Sequence, residues 1–184
     1  MQDELVRQAQ QGDAEAFDSL ARMVGDRCLA IAVRILRDVD LAEDAVQAAL
    51  IIAWTDLRSL RDPSRFEPWL HRILTNACYA EAGRRKRWSE SVRILPIAGS
   101  AGPDEYLTVD DRDVLERAFR RLTVQQRAVL VYHHYLGLSI SEVAARTGLP
   151  VGTAKSRLHH AAQALRASLE ADARTTADPQ ERFA

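Results

Sequence analysis

The side chains best suited to recognition chemistry lie near residue 155, where hydroxyl, ammonium, guanidinium and imidazole groups follow one another. The residues that we assign to this outward face are Thr153, Lys155, Ser156, Arg157 and His159. Apolar residues interrupt them at helical spacing and predict the buried back of the same helix: Leu149, Val151, Ala154 and Leu158. A helix that exposes several hydrogen-bond donors on one face can read base edges in the major groove of DNA.

The residues just before this stretch predict a shorter helix that crosses the first one. The two helices together make a helix-turn-helix. Ser139 and Glu142 predict a capping box at the start of the shorter helix, and small Ala144 allows close approach of the two helices. Gly148 supplies the positive-φ turn between them. Three uses of such a unit stay open at this point. The chain could read DNA as part of a larger assembly, it could read a palindrome as a dimeric transcriptional regulator, or the unit could serve only for packing or protein binding without DNA.

The elements that must position this face are all helical. Apolar residues recur at spacings of three and four along nearly the whole chain, and no convincing alternating strand appears, so the fold is predicted to be all-α. Caps are predicted at Asp13, at Asp40 with Glu43, and at Thr123 with Gln126. Proline and glycine accumulate where the helical period fails. We therefore predict two small helical domains, at 1–88 and 111–170, with a flexible linker at 89–110 and a disordered tail at 171–184.

Charge is distributed unevenly, although the formal net charge is only -1. Acids outnumber bases over residues 1–60, whereas residues 84–87 are all basic and residues 155–166 contain bases without an acid. This segregation indicates an acidic surface for one partner and basic patches for a polyanion.

Other chemistries find little support in the sequence. No nucleophile elbow, phosphate loop or zinc-protease motif is present, so we predict that the chain is not an enzyme and needs no cofactor. Adjacent histidines at 133–134 and 159–160 point about 100° apart on a helix and do not form a metal set. Cys28 and Cys78 fall on apolar stripes and are expected to be buried free thiols. No leader or membrane span is evident, which predicts a cytoplasmic protein without membrane insertion.

Two sets of motifs resemble the extracytoplasmic-function (ECF) RNA polymerase sigma factors. Region four of that family is similar to GLSISEVA at 137–144 and GTAKSRL at 152–158. Region two is similar to GDAEAF at 12–17, AEDAVQ at 42–47 and FEPWLHRI at 66–73. The likeness runs from about Asp3 to Leu169, in order and at family spacing. Both signatures on one chain favour a sigma factor over a dimeric regulator or a pure interaction module.

The resemblance implies a role for each matching position. It implies a transcription initiation factor that binds core RNA polymerase and promoter DNA and is held inactive by an anti-sigma factor. Core binding is expected at Asp44, Gln47 and Leu50. Minus-ten DNA is expected at Phe66, Asn76, Arg84 and Arg85, with a core role as the alternative for the ring of Phe66. Minus-thirty-five DNA is expected at Thr153, Lys155, Ser156, Arg157 and His159.

Overall fold

The regular structure is helical throughout the part of the chain that the computed structural model describes, residues 1–91 and 109–177, with side chains described for 1–88 and 113–172. The first domain contains α1 (Gln2–Gln10), α2 (Ala14–Leu36), α3 (Val39–Asp56) and α4 (Phe66–Ser91), with two short 3-10 turns between α3 and α4. The second contains α5 (Val109–Arg121), α6 (Val124–Leu130), α7 (Ile140–Thr147) and α8 (Val151–Ala177). The predicted all-α, two-domain fold is confirmed.

The helices of the first domain begin at residues whose side chains cap them. Asp13 accepts hydrogen bonds from the backbone amides of Glu15 and Ala16, as predicted. The predicted capping box of Asp40 and Glu43 is wrong, because Asp38 is the N-cap of α3 and accepts from the amide of Leu41. Helix α3 therefore starts one residue before Asp40 rather than after it.

Small residues set the packing of the first domain. The buried stripe of α3 consists entirely of alanines: Ala42, Ala45, Ala49 and Ala53. Because alanine carries no side chain beyond Cβ, α2 and α4 can lie close to α3 on both sides. Cys28 and Cys78 are buried in this core as free thiols, as predicted. Burial raises the pKa of Cys28 to about 11 and that of Cys78 to about 12, so both stay protonated at neutral pH.

Two capping boxes and one glycine organise the second domain. Thr123 with Gln126 opens α6, and Ser139 with Glu142 opens α7, with both reciprocal hydrogen bonds present in each box. Gly148 ends α7 in the left-handed conformation, with φ of 69°. These three predictions are confirmed. Between α6 and α7, residues Val131–Tyr135 widen into a π-helical turn that no sequence pattern indicated.

The domain limits differ in detail from the predicted ones. Helix α4 continues to Ser91 and α5 begins at Val109, so both enter the segment assigned to the linker. Helix α8 continues to Ala177, beyond the predicted end of order at residue 170. The remainder of the predicted linker, 92–108, and of the predicted tail, 178–184, lies outside the described residues.

Candidate nucleic-acid interface

The first turns of α8 expose a continuous polar face. Thr153, Lys155, Ser156 and His159 are all exposed, whereas Ala154 is fully buried against the rest of the second domain. The burial of Ala154 fixes the rotation of α8, because one face of a helix must lie inward. Val151 was predicted to lie inward and is 52% exposed, which corrects that assignment. Val151 is the first residue of α8.

Arg157, the remaining residue of the predicted set, is turned toward the first domain. It is half-buried beside Tyr79 of α4. Burial raises the pKa of Tyr79 to about 12, and the positive charge of Arg157 opposes that rise. The buried hydroxyl of Tyr79 has no hydrogen bond of ordinary geometry among the described residues. Arg157 therefore belongs to the contact between the domains in this conformation.

The minus-ten candidates on α4 divide between surface and core. Asn76 is exposed, but Phe66 is 1% exposed and lies in the core of the first domain, with its ring centroid 6.2 Å from that of Trp69. A ring with no accessible face cannot stack on a base, so the assignment of Phe66 to DNA is corrected to a core role. An aromatic ring at this position of the sequence is compatible with either role.

The basic end of α4 is partly neutralised by carboxylates. Arg84 forms an ion pair with buried Glu81, and Arg85 forms one with Asp38, the N-cap of α3. Burial alone would raise the pKa of Asp38, but hydrogen bonds from the Leu41 amide and from Arg85 outweigh it and lower that pKa. Both arginines therefore have intramolecular partners when no DNA is present.

The predicted polymerase-binding helix α3 exposes more apolar surface than the sequence analysis assigned to it. Asp44 and Gln47 are exposed and Leu50 is half-buried. Ile51 and Ile52 are also exposed, at 58% and 41%. The signal was the unbroken apolar run from Ala48 to Trp54, because a helix cannot turn seven consecutive residues toward one core.

A buried tyrosine joins the two domains. The hydroxyl of Tyr132 lies 2.8 Å from the Oγ1 of Thr75 and donates to the backbone carbonyl of His71 at 3.1 Å. Thr75 and His71 belong to α4, whereas Tyr132 lies in the π-helical turn of the second domain, and Tyr132 is fully buried. A hydroxyl this deep must have a partner, so the pairing fixes how the second domain sits on α4.

His71 supports the same contact through its side chain. The Nε of Arg146 on α7 donates to the Nδ1 of His71 at 3.3 Å. Burial lowers the pKa of His71 to about 4, and the nearby charges of Arg146 and Arg27 lower it further in the same direction. The imidazole is therefore neutral at pH 7 and can accept this hydrogen bond. Close packing continues at Gly148, where a Cβ atom would lie 3.4 Å from the Nε of Arg72.

On the opposite side of this contact, charges and rings join α2 to the second domain. Arg37 forms an ion pair with Glu116 of α5. The guanidinium of Arg34 lies 3.8 Å from the centroid of the Tyr135 ring, a cation–π distance. The second domain is therefore held against both α2 and α4, and nothing in the spacing of these residues had indicated the pairing.

The rings of His159 and His160 lie with centroids 5.8 Å apart and interplanar angle 62°. Within 1–88 and 113–172 there is no group of three or more histidines, cysteines or acids arranged to hold an ion.

Comparison with known proteins identifies the family. The family described as "Sigma-70 region 2" matches residues 20–88, and "Sigma-70, region 4" matches residues 112–165. A relative in Mycobacterium tuberculosis, ECF RNA polymerase sigma factor SigL, is 33% identical over 167 residues, which cover 86% of this chain and 94% of SigL. The chain belongs to the ECF RNA polymerase sigma factors. SigW of Bacillus subtilis is 27% identical over 89% of this chain and 94% of its own length.

Solved structures place this sigma factor in the same group. The sigma factor RpoE in complex with the anti-sigma factor NepR, from Bartonella quintana, superposes with a TM-score of 0.70 at 28% identity, covering 86% of this chain and 99% of RpoE. CnrH in complex with the cytosolic domain of CnrY gives 0.64 at 28% identity, covering 93% and 98%. Sigma factors are non-enzymatic initiation factors that act with core polymerase on promoter DNA. Among the described residues, no helix combines the length and apolar content of a membrane crossing.

Proposed function

We propose that this sigma factor brings core RNA polymerase to promoters whose minus-thirty-five element is read by the exposed face of α8. One observation carries the proposal: Ala154 is fully buried, which turns Thr153, Lys155, Ser156 and His159 outward as one polar surface. Side chains of these types hydrogen-bond to base edges in the major groove. Arg157 joins them, on a phosphate, once it leaves Tyr79.

Minus-ten contacts are proposed for Asn76, Arg84 and Arg85. All three are exposed on α4, and the two arginines would exchange Glu81 and Asp38 for DNA phosphates. Core binding is proposed for α3, where Asp44 and Gln47 supply polar contacts and Leu50, Ile51 and Ile52 supply apolar area. Acting with core polymerase, the chain would work in the cytoplasm.

Reading both promoter elements requires the domains to separate. Minus-ten and minus-thirty-five elements lie about 25 base pairs apart, which at about 3.4 Å per base pair is about 85 Å of duplex. In the structure, Arg157 of α8 lies beside Tyr79 of α4, three residues from Asn76. The conformation described is therefore closed, and promoter binding selects an open one in which the contacts of Tyr132 and His71 are broken.

Control by an anti-sigma factor is proposed from the structural relatives. RpoE, at 28% identity over nearly its whole length, was solved in complex with the anti-sigma factor NepR. A partner of that kind would bind this chain and keep α3 and α8 away from polymerase and DNA.

Run-off transcription tests the reading of DNA by α8. With core polymerase and a promoter library randomised at the minus-thirty-five element, the wild-type chain is expected to select a defined sequence. Lys155→Ala, Ser156→Ala and His159→Ala should each relax the preference at one or two base pairs, because a good base contact supplies roughly 1–3 kcal/mol of discrimination. Gln163→Ala, at another exposed position of α8, is the matched control. A proportional loss across all sequences in every variant would make these residues backbone contacts instead.

The polymerase-binding surface is tested by the double change Asp44→Ala with Gln47→Ala. We expect affinity for core polymerase to fall about tenfold, equivalent to about 1.4 kcal/mol. Stability should change by less than about 0.5 kcal/mol, because both side chains are exposed. Fluorescence anisotropy of the labelled chain measures the first quantity and thermal unfolding the second. Asp26→Ala with Gln11→Ala is the control pair, because Asp26 is exposed on α2 and Gln11 is exposed in the turn after α1; equal affinity of both double variants for core would refute the assignment.

A further inference from the structure

A cationic cavity of about 400 Å³ opens where the end of α4 meets the second domain. Residues of both domains line it. Its apolar wall consists of Leu36, Leu41, Ala82 and Val124. Its charged wall consists of Arg37, Arg85, Lys86, Arg120 and Arg127, with Asp38 as the one carboxylate among the described lining residues. Asp38 is already engaged by Arg85 and by the amide of Leu41. Glu116 of α5 pairs with both Arg37 and Arg120, so the wall keeps an excess of positive charge but several of its cations have a carboxylate partner.

Arg127 is the residue that distinguishes this cavity from an ordinary basic surface. It lies on α6, is 9% exposed, and its Nε has no hydrogen-bond partner among the described residues. Burial lowers the pKa of Arg127 to about 10, with a further contribution from the charge of Arg37. A buried guanidinium nitrogen without an acceptor is unfavourable, and Arg127 remains charged at neutral pH. An anion in the cavity would lie beside this buried positive charge and offset it.

We propose that the cavity is a binding site for a small molecule that carries a diphosphate group, with Arg127 as its buried anchor. The planar fork of a guanidinium pairs with two oxygens of a phosphoryl group. Two linked phosphoryl groups present oxygens in several directions, which matches cations that approach from α4 on one side and from α5 and α6 on the other. A single carboxylate presents two oxygens in one plane and one charge, so it matches only one of these cations at a time. The volume is large enough for a diphosphate with an attached nucleoside.

Binding would favour the closed conformation. Arg37, Arg85 and Lys86 come from the first domain, whereas Arg120 and Arg127 come from the second, so the complete site exists only while the domains are together. A ligand that binds one conformation shifts the population toward it. The ligand would thus restrain the chain from promoter DNA. This regulatory consequence rests on the proposed function, but the binding itself does not.

Isothermal titration calorimetry of the full chain tests the site, with inorganic pyrophosphate, a nucleoside diphosphate and acetate as probes. We expect pyrophosphate or the nucleoside diphosphate to bind and to raise the midpoint of thermal unfolding, and acetate not to bind. The probe that binds more tightly identifies the source of the diphosphate. Arg127→Met should weaken binding at least about tenfold, equivalent to about 1.4 kcal/mol, without lowering the midpoint measured in the absence of ligand.

Two further variants keep the test decisive. Arg120→Met changes an exposed residue at the rim of the cavity and should weaken binding, although less than Arg127→Met does. Because Arg120 is exposed, this variant tests the site even if Arg127→Met impairs folding. Arg22→Met, paired with Asp18 elsewhere on α2, should bind as the wild type does. Absence of binding to either diphosphate probe would overturn the proposal, as would equal loss in Arg22→Met or binding of acetate as tightly as pyrophosphate. Binding without any effect on transcription would leave the site intact and refute its regulatory role.

Discussion

Tyr132→Ala is expected to release the second domain from α4. The change removes a fully buried ring together with the hydroxyl that bonds to Thr75 and to the carbonyl of His71. Removing a buried aromatic side chain costs about 3–5 kcal/mol, and here part of that cost falls on the contact between the domains. Small-angle scattering should show a larger radius of gyration than the wild type has, and the two domains of the variant should unfold in separate transitions.

Tyr132→Phe and Thr75→Val separate the loss of the hydrogen bond from the loss of the ring. Tyr132→Phe keeps the ring and should weaken the closed state by about 1–3 kcal/mol, since it removes both hydrogen bonds of the buried hydroxyl. Adding Thr75→Val removes the hydroxyl that Tyr132 faces, so the double variant should lose less than the sum of the two single changes. An unchanged radius of gyration in Tyr132→Ala would show that the ring stabilises only the second domain and not the contact between the domains.

Acidification is expected to destabilise the protein through His71. Its pKa is lowered from 6.5 to about 4 in the folded chain, so the unfolded state binds more protons between these two values. Stability from this residue is therefore complete above pH 6.5 and is lost as the pH falls toward 4. The linkage relation gives a loss of about 2 kcal/mol by pH 5. Urea unfolding at pH 7.5, 6 and 5 measures it.

His71→Gln is the control for that pH dependence. Glutamine can still accept a hydrogen bond from Arg146 but does not titrate, so stability should become nearly flat between pH 7 and 5. Asp38 and Glu142 also have lowered pKa values, but their protonation reduces stability only at a pH near or below the ordinary carboxyl pKa. A wild-type slope that persisted in His71→Gln would assign the effect to another group.

Local rules of sequence predicted the helix ends and the turn of the helix-turn-helix. The capping boxes at Thr123 and Ser139 and the left-handed Gly148 each depend on residues within a few positions of one another. The cap of α3 was misplaced because Asp38 and Asp40 are both good capping residues. Asp38 is also held by Arg85, a residue 47 positions away in the sequence. Local preference alone could not choose between the two aspartates.

Long-range packing could not be predicted in the same way. Tyr132 and Thr75 are 57 residues apart, and an apolar stripe indicates that a residue is buried without indicating against which helix. Phe66 illustrates the same limit, because burial and base stacking both require an aromatic ring. The sequence shows the apolar run of α3, but only the rotation of the helix in the structure shows which of its residues face solvent.

Glu81 and Asp38 hold Arg84 and Arg85 in ion pairs, so these carboxylates would compete with DNA phosphates for the two arginines proposed as minus-ten contacts. Non-specific binding depends almost wholly on cations that neutralise phosphates. On that proposal, each arginine would first have to leave its carboxylate. This would weaken the attraction to bulk genomic DNA while keeping the contact available where a promoter supplies additional interactions. With a net charge of -1, the factor has little tendency to be retained on unrelated DNA, and its encounters there should be brief.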